Sequence, residues 1–138
     1  MTSLPQAEVR ITVPFHDVDV MEIVWHGHYA KYFEIARCAL LDKIGYNYLQ
    51  MKQSGYSWPI IELKTRYIKP ASFGQDILVR ARIAEYEFRL KIDYLISDAA
   101  TGTRLTKGHT VQVAVDAERR ELLLASPAIL LKKLRVLP

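Results

Sequence analysis

YAKYFEIARCALLDKI, residues 29–44, is the stretch that decides the fold. Its apolar side chains recur at spacings of three and four residues, at Tyr29, Tyr32, Phe33, Ala36, Leu40 and Ile44. That spacing places them on one stripe of an α-helix. Gly45 follows directly, where a helix commonly ends on a residue with left-handed backbone. The sequence therefore predicts one substantial early helix whose apolar face another layer must cover.

Most of the chain around this helix alternates between apolar and polar side chains, the pattern of a strand with one buried face. Strands are predicted at residues 7–15, 58–68, 76–86, 88–97 and 104–116. Short turns between the later strands favour an antiparallel meander with one face on a core and the other in water. The predicted fold class is α+β, a sheet of about five strands wrapped around one long helix.

The C-terminal stretch SPAILLKKLRVLP, residues 126–138, is typical of a short helix with Pro127 near its first turn. Its leucines are expected to cover an edge of the fold, and they are Leu130, Leu131, Leu134 and Leu137.

Length and composition limit the classes of protein to consider. The 138 residues fit a single domain, residues 1–138, with a real core. One cysteine, Cys38, cannot form an internal disulfide, and neither a signal peptide nor a long apolar run is present. A cytoplasmic protein without membrane insertion is expected. The formal charge of +4 favours anionic partners, but no nucleic-acid-binding motif supports a nucleic-acid partner.

FHDVDVMEIVWHGHY, residues 15–29, is a polar loop leading into the helix. The first turn of a helix offers free backbone N–H groups that can stabilise a developing oxyanion. Asp19 next to it can act as a nucleophile or a general base, or it can simply cap a turn. A metal site would need the spacing of a known metal motif, which these candidates do not have: His16, Asp17, His26 and His28. No metal is expected.

Three pieces of sequence carry a family resemblance: Asp17-x-Asp19, His26-x-x-Tyr29, and Glu34-x-Ala36-Arg37 on the helix. Together they resemble the signature of the 4-hydroxybenzoyl-CoA thioesterase family and its YbgC-like acyl-CoA relatives. RYIKPASFGQDILV, residues 66–79, is similar to a further segment of that family. The resemblance implies a hotdog fold and hydrolysis of acyl or aryl thioesters of CoA or acyl carrier protein, with no cofactor. A hotdog hydratase or dehydratase, or a non-catalytic acyl-thioester-binding module, are the alternatives.

The resemblance also implies site residues. Asp19 would attack the thioester or activate water, and His26 would orient the water or the carbonyl. Backbone N–H groups of His26, Gly27 and His28 would hold the oxyanion, with Gly27 letting a ligand approach. Candidate substrate-binding residues are Trp25, Tyr29, Trp58, Glu62, Lys69, Arg89 and Lys91.

Further expectations concern structure. Relatives in this family pair into dimers with a continuous sheet and often form tetramers, so a homodimer or homotetramer is expected, with Glu62 facing the partner's pocket. Asp17 is expected to brace the loop through hydrogen bonds, and Glu34 with Arg37 to form a buried ion pair. Glu22 stands where the family usually has glycine, which puts a left-handed backbone at that position in doubt.

Overall fold

The computed structural model describes residues 4–136. Its longest helix is α1 (Tyr29–Lys43), and the shorter helices are α2 (Tyr48–Gln53) and α3 (Ala128–Lys133). The long strands are β1 (Gln6–Thr12), β3 (Ile60–Tyr67), β4 (Asp76–Glu85), β5 (Leu90–Asp98) and β6 (Arg104–Gln112). Three two-residue strands complete the set: β2 (Tyr56–Ser57), β7 (Val115–Asp116) and β8 (Glu121–Leu122). The predicted helix and all five predicted strand regions are confirmed.

The five long strands form one sheet in the order β1-β4-β5-β6-β3, with antiparallel pairing throughout. Strands β4, β5 and β6 make the predicted meander. Strand β3, however, pairs with β6 at the far edge rather than with its sequence neighbour β4. The simple meander is therefore wrong for β3, because the chain between β3 and β4 crosses from one edge of the sheet towards the other. The two-residue strands form a separate small sheet.

Helix α1 lies on the inner face of the sheet. Phe33 stacks on Tyr94 of β5 with ring centroids 4.5 Å apart, and both side chains are buried. A Cβ at Gly108 of β6 would lie 2.6 Å from the Phe33 ring, so only glycine lets the helix pack this closely. Burial of a side chain such as Phe33 contributes about 2 kcal/mol. The apolar stripe of α1 thus anchors the helix across the centre of the sheet.

The end of α1 agrees with the sequence prediction, because Gly45 has φ 73°. The chain then forms α2, which begins with a capping box: the Asn47 side chain accepts a hydrogen bond from Gln50 N–H, and the Gln50 side chain accepts one from Asn47 N–H. This helix was not predicted.

Helix α3 begins after Pro127 as predicted. Leu130 and Leu134 are buried and Leu131 packs against the core, whereas Leu137 lies outside the described residues. None of the helices in the described part of the chain is long and apolar enough to cross a membrane.

Candidate active site

Asp17 fastens the polar loop to the start of α1. It ends a short 3-10 turn, Phe15–Asp17, and is buried. Its carboxylate accepts hydrogen bonds from Lys31 Nζ at 2.5 Å and from Tyr32 Oη at 2.7 Å, and its carbonyl accepts one from Trp25 N–H at 3.0 Å. Asp17 therefore braces the loop, as predicted, by accepting hydrogen bonds from two residues in the first turn of α1.

Burial of Asp17 opposes its ionisation, but the hydrogen bonds from Lys31 and Tyr32 and the nearby Lys31 charge together lower the pKa of its carboxyl. Asp17→Asn is expected to reduce the free energy of unfolding by about 2 kcal/mol at pH 7, because an amide cannot hold the Lys31 charge. A lowered folded pKa stabilises the fold above the unfolded value and loses that contribution as the pH falls. The difference between wild type and variant should therefore shrink as the pH falls through 3.8.

Urea unfolding of both proteins at pH 7 and at about pH 3 measures this difference. Asp93→Asn serves as a control, since Asp93 makes only a long, partly exposed ion pair at 3.8 Å with Arg82. Equal losses in the two variants at pH 7 would contradict the bracing role of Asp17.

Asp19 sits in a tight turn that follows Asp17. Val18 pairs with Val24, Asp19 N–H donates to the Ile23 carbonyl at 2.9 Å, and Glu22 N–H donates to the Asp19 carbonyl at 2.9 Å. One carboxylate oxygen, Oδ1, accepts from Met21 N–H at 2.8 Å. The other, Oδ2, has no hydrogen-bond partner between residues 4 and 136, and the side chain is exposed in the single chain. Asp19 is thus both a turn cap and a carboxylate with a free oxygen.

Glu22 closes this turn with φ 62°, in the left-handed region. Its carbonyl accepts a hydrogen bond from Phe73 N–H at 3.0 Å, which ties the turn to the segment before β4. The positive φ that the glutamate put in doubt is therefore present, because the pairing on both sides of the turn imposes it.

Glu22→Gly is expected to raise the free energy of unfolding by about 0.5–1 kcal/mol, because glycine adopts this backbone without the steric cost that a side chain meets. Glu22→Ala is the matched control: it removes the same carboxylate but keeps a Cβ, so it should bring no comparable gain. Thermal and urea unfolding of the three proteins checks this, and a gain shared by both variants would assign the effect to charge instead.

The helix start supplies the candidate oxyanion donors. A 3-10 turn, His26–His28, leads directly into α1, and His28 N–H donates to the Trp25 carbonyl at 2.9 Å. Backbone N–H groups of His26 and Gly27 find no acceptor in the described part of the chain. Of the three predicted oxyanion donors, the N–H groups of His26 and Gly27 are therefore available, whereas the N–H of His28 is already hydrogen-bonded within the turn.

Trp25 covers one side of this turn. A Cβ at Gly27 would lie 2.2 Å from the indole ring, so the ring occupies the space that a side chain there would need. The same ring contacts His26 and His28, at centroid distances of 5.1 and 5.3 Å. Gly27 therefore makes room for Trp25 on that side, and the predicted approach of a ligand to its backbone stays a prediction.

Tyr67, near the end of β3, connects the helix start to the sheet. Its hydroxyl donates to the His26 carbonyl at 2.8 Å, and its ring packs against Tyr29 at a centroid distance of 5.2 Å. The Tyr29 hydroxyl in turn accepts from Ala71 N–H at 3.2 Å. Sequence reasoning missed Tyr67, since one tyrosine on a strand carries no signal of such a contact.

The remaining substrate-binding candidates lie apart from one another. Trp58 is buried and its indole N–H donates to the Tyr46 hydroxyl at 3.2 Å, so it is a core residue in the single chain. Glu62 contacts His109 at 2.7 Å on the outer face of the sheet. Arg89 bonds Glu85 at 2.6 Å, Lys91 lies on β5 partly buried, and Lys69 is exposed before β4. A single chain does not bring these residues to Asp19.

The expected Glu34–Arg37 ion pair is wrong. Arg37 is buried and donates to two tyrosine hydroxyls, Tyr48 at 2.7 Å and Tyr94 at 3.3 Å, whereas Glu34 is exposed. The two helix positions turn their side chains in different directions, one under the sheet and one to solvent. For metals, residues 4–136 contain no group of three or more His, Cys, Asp or Glu side chains placed to hold an ion.

Comparison with known proteins identifies the family. Residues 13–133 match the Thioesterase-like superfamily. A putative acyl-CoA thioesterase, YneP of Bacillus subtilis, is 30% identical over 110 residues, which cover 79% of each chain. An acyl-acyl carrier protein thioesterase of Arabidopsis thaliana is 26% identical over 86% of this chain and 63% of its own length.

Solved structures agree with this match. A hypothetical protein from Thermus thermophilus superimposes with a TM-score of 0.82 at 31% identity, over 96% of this chain and 99% of the other. A 1,4-dihydroxy-2-naphthoyl-CoA thioesterase from Synechocystis has a TM-score of 0.83 at 19% identity, over 96% and 97% of the two chains, which supports the fold. The chain therefore belongs to the Thioesterase-like superfamily, which makes it a thioester hydrolase of the hotdog fold.

Proposed function

We propose that this chain hydrolyses acyl or aryl thioesters of CoA or of acyl carrier protein, with Asp19 as the reacting carboxylate. One observation carries the proposal: the turn that contains Asp19 is tied to α1 through Asp17, and the helix start presents the free N–H groups of His26 and Gly27. A carboxylate and preorganised oxyanion donors are the two elements that acyl transfer to water requires. The related acyl-CoA and acyl-carrier thioesterases support this substrate class.

The reaction consumes one water and releases a carboxylic acid and a thiol. As general base, Asp19 Oδ2 takes a proton from the water that attacks the carbonyl carbon, and the departing sulfur receives a proton as the C–S bond breaks. As nucleophile, Oδ2 attacks the carbonyl carbon, the C–S bond breaks and the departing sulfur takes up a proton, and water then hydrolyses the resulting anhydride to release the acid and restore the Asp19 carboxylate. In both routes the carbonyl oxygen becomes negative and is held by the N–H groups of His26 and Gly27. No cofactor takes part in either route.

Two copies of the chain form the active unit in this proposal, joined along β3. This strand lies at the edge of the sheet, is exposed on both faces, and carries apolar side chains that are about half exposed, such as Ile61, Leu63 and Tyr67. An unprotected apolar edge of this kind pairs readily with another strand. Pairing of β3 with its counterpart closes this edge beside Tyr67, whose hydroxyl contacts the His26 carbonyl.

The side-chain alternation of β3 restricts how two copies pair. Residues directly opposite one another in antiparallel strands face the same side of the sheet. The two-fold axis must therefore pass midway between two copies of the same residue, not between a residue and its sequence neighbour. With the axis at Leu63, Glu62 faces the partner's Lys64, and with the axis at Lys64 it faces the partner's Arg66. Both registers place the beginning of one β3 beside the end of the other, next to Tyr67 and His26. The partner's first β3 residues then lie beside each site, whereas Glu62 itself is on the outer face of the sheet and meets the partner's Lys64 or Arg66 there.

Assay of a panel of acyl- and aryl-CoA thioesters and of acylated carrier protein, read by release of free thiol, tests the activity. Thiol release from at least one class is expected. Water addition to an enoyl-CoA without thiol release would favour a hydratase, and binding without turnover on every thioester would favour a storage module. Association of two dimers into a tetramer and a cytoplasmic location remain predictions.

A further inference from the structure

The outer face of the sheet, opposite α1, carries a concentrated positive charge. Six cationic side chains and one carboxylate, Asp93, line a shallow open depression there, and the cations are Lys64, Arg66, Arg80, Arg82, Arg104 and Lys107. We call this surface the basic face. Its formal charge is +5 with His109 neutral, whereas the whole chain carries +4, so the rest of the chain is close to neutral at −1.

The strand register orders these charges into two rows across four strands. One row runs Arg80, Leu95, Lys107, Arg66, and the other runs Arg82, Asp93, His109, Lys64. Neighbouring strands lie about 4.8 Å apart, so each row spans about 14 Å. Within residues 4–136, the only carboxylate ion pair to these six cations joins Arg82 and Asp93 at 3.8 Å. Such crowding of like charges opposes folding, and an anionic partner relieves it.

The shape and chemistry of the basic face decide between possible partners. A second copy of this chain cannot cover it favourably, because two such faces repel one another. A nucleotide is bound in a concave pocket, commonly with an aromatic ring against the base, whereas this face is open and its one aromatic neighbour, Tyr94, points inward to Phe33 and Arg37. A broad, flat array of cations fits an acidic protein surface of similar width.

We propose that the basic face docks the acidic surface of an acyl carrier protein that delivers the thioester. This inference rests on the proposed function and selects the carrier protein as a substrate form. Arg66 directly precedes Tyr67 on β3, and their side chains leave opposite faces of the sheet, with Tyr67 on the His26 carbonyl. A carrier seated on the basic face thus lies one sheet thickness from the site, and its pantetheine arm passes the end of β3 at residues 68–70.

Binding of holo-acyl carrier protein, which holds a free thiol and no thioester, tests docking independently of hydrolysis. Arg80→Glu with Lys107→Glu should weaken the dissociation constant, measured by fluorescence anisotropy, at least about tenfold, and added salt should weaken wild-type binding. Lys52→Glu with Arg119→Glu is the matched control: it changes net charge equally at exposed positions away from the basic face and should stay within about twofold.

Hydrolysis gives a second readout. For the Arg80/Lys107 variant, kcat/KM should fall at least about tenfold with acyl carrier protein and change little with the CoA thioester of the same acyl group. Equal losses with both substrates, equal losses in the control variant, or binding of a DNA duplex as tight as that of the carrier would overturn the docking proposal. If no thioester is hydrolysed while the carrier still binds through the basic face, the proposed function fails and docking stands.

Discussion

Asp19→Asn is expected to lower kcat for thioester hydrolysis by about 10²- to 10⁴-fold and to leave the chain folded. Asparagine keeps a side-chain oxygen that can accept the Met21 N–H, so the turn retains its cap. What it loses is the negative charge on Oδ2, the oxygen that has no partner among residues 4–136. The substitution therefore separates the two roles that this one residue can have, which the sequence left open.

The control lies on the same turn. Glu22→Gln removes a carboxylate three residues away and should keep kcat within about threefold of wild type. Thiol release from one acyl-CoA at saturating concentration measures kcat, and circular dichroism with a thermal melt confirms that each variant is folded. A folded Asp19→Asn protein with wild-type turnover would make Asp19 a turn cap only, and another group would have to supply the chemistry.

The features that could be predicted from the sequence are the helices and strands whose apolar side chains recur at a regular spacing. The stripe of α1 predicted a helix over residues 29–44, and the structure has Tyr29–Lys43. Strand alternation located the long strands within a few residues. The position of β3 beside β6 was not predictable in this way, because no local signal records which strand a distant strand will pair with. Helix α2 did carry a signal, the Asn47 and Gln50 capping box, but it is only six residues long.

Some residues of the candidate site could likewise be predicted from the sequence, and others could not. Asp17 and Asp19 stand out because two aspartates precede a helix, and the bracing role of Asp17 follows from its burial beside Lys31 and Tyr32. Tyr67 could not be found, because its contact with His26 joins residues 41 positions apart. Arg37 was misassigned for a related reason: spacing of three on a helix permits a pair with Glu34, but the buried tyrosine hydroxyls compete for the guanidinium.

Leu63→Lys is expected to convert a dimer into monomers at micromolar concentration. The rate of hydrolysis should fall in proportion to the fraction of chains that are no longer dimeric. Leu63 is 49% exposed on the edge strand and faces the inner side of the sheet, opposite Thr110. Leu63 is already half buried, so pairing of two copies of β3 buries the remaining half of each side chain, worth about 0.7–1.5 kcal/mol apiece, and loss of both weakens the dimer by a factor of about 10 to 10². An inward-pointing charge also opposes pairing of an edge strand.

Leu124→Lys is the matched control, because Leu124 is 88% exposed and is not part of the five-stranded sheet that β3 borders. Sedimentation velocity should give a dimer for wild type and for this control and a monomer for Leu63→Lys. In the proposed dimer each site needs the partner's β3, so the kcat/KM of the Leu63 variant should rise with protein concentration as dimers reform, whereas that of wild type should stay constant. A wild-type protein that is monomeric and fully active would contradict both the pairing and the completion of the site by a partner. A dimer that survives Leu63→Lys would place the interface elsewhere.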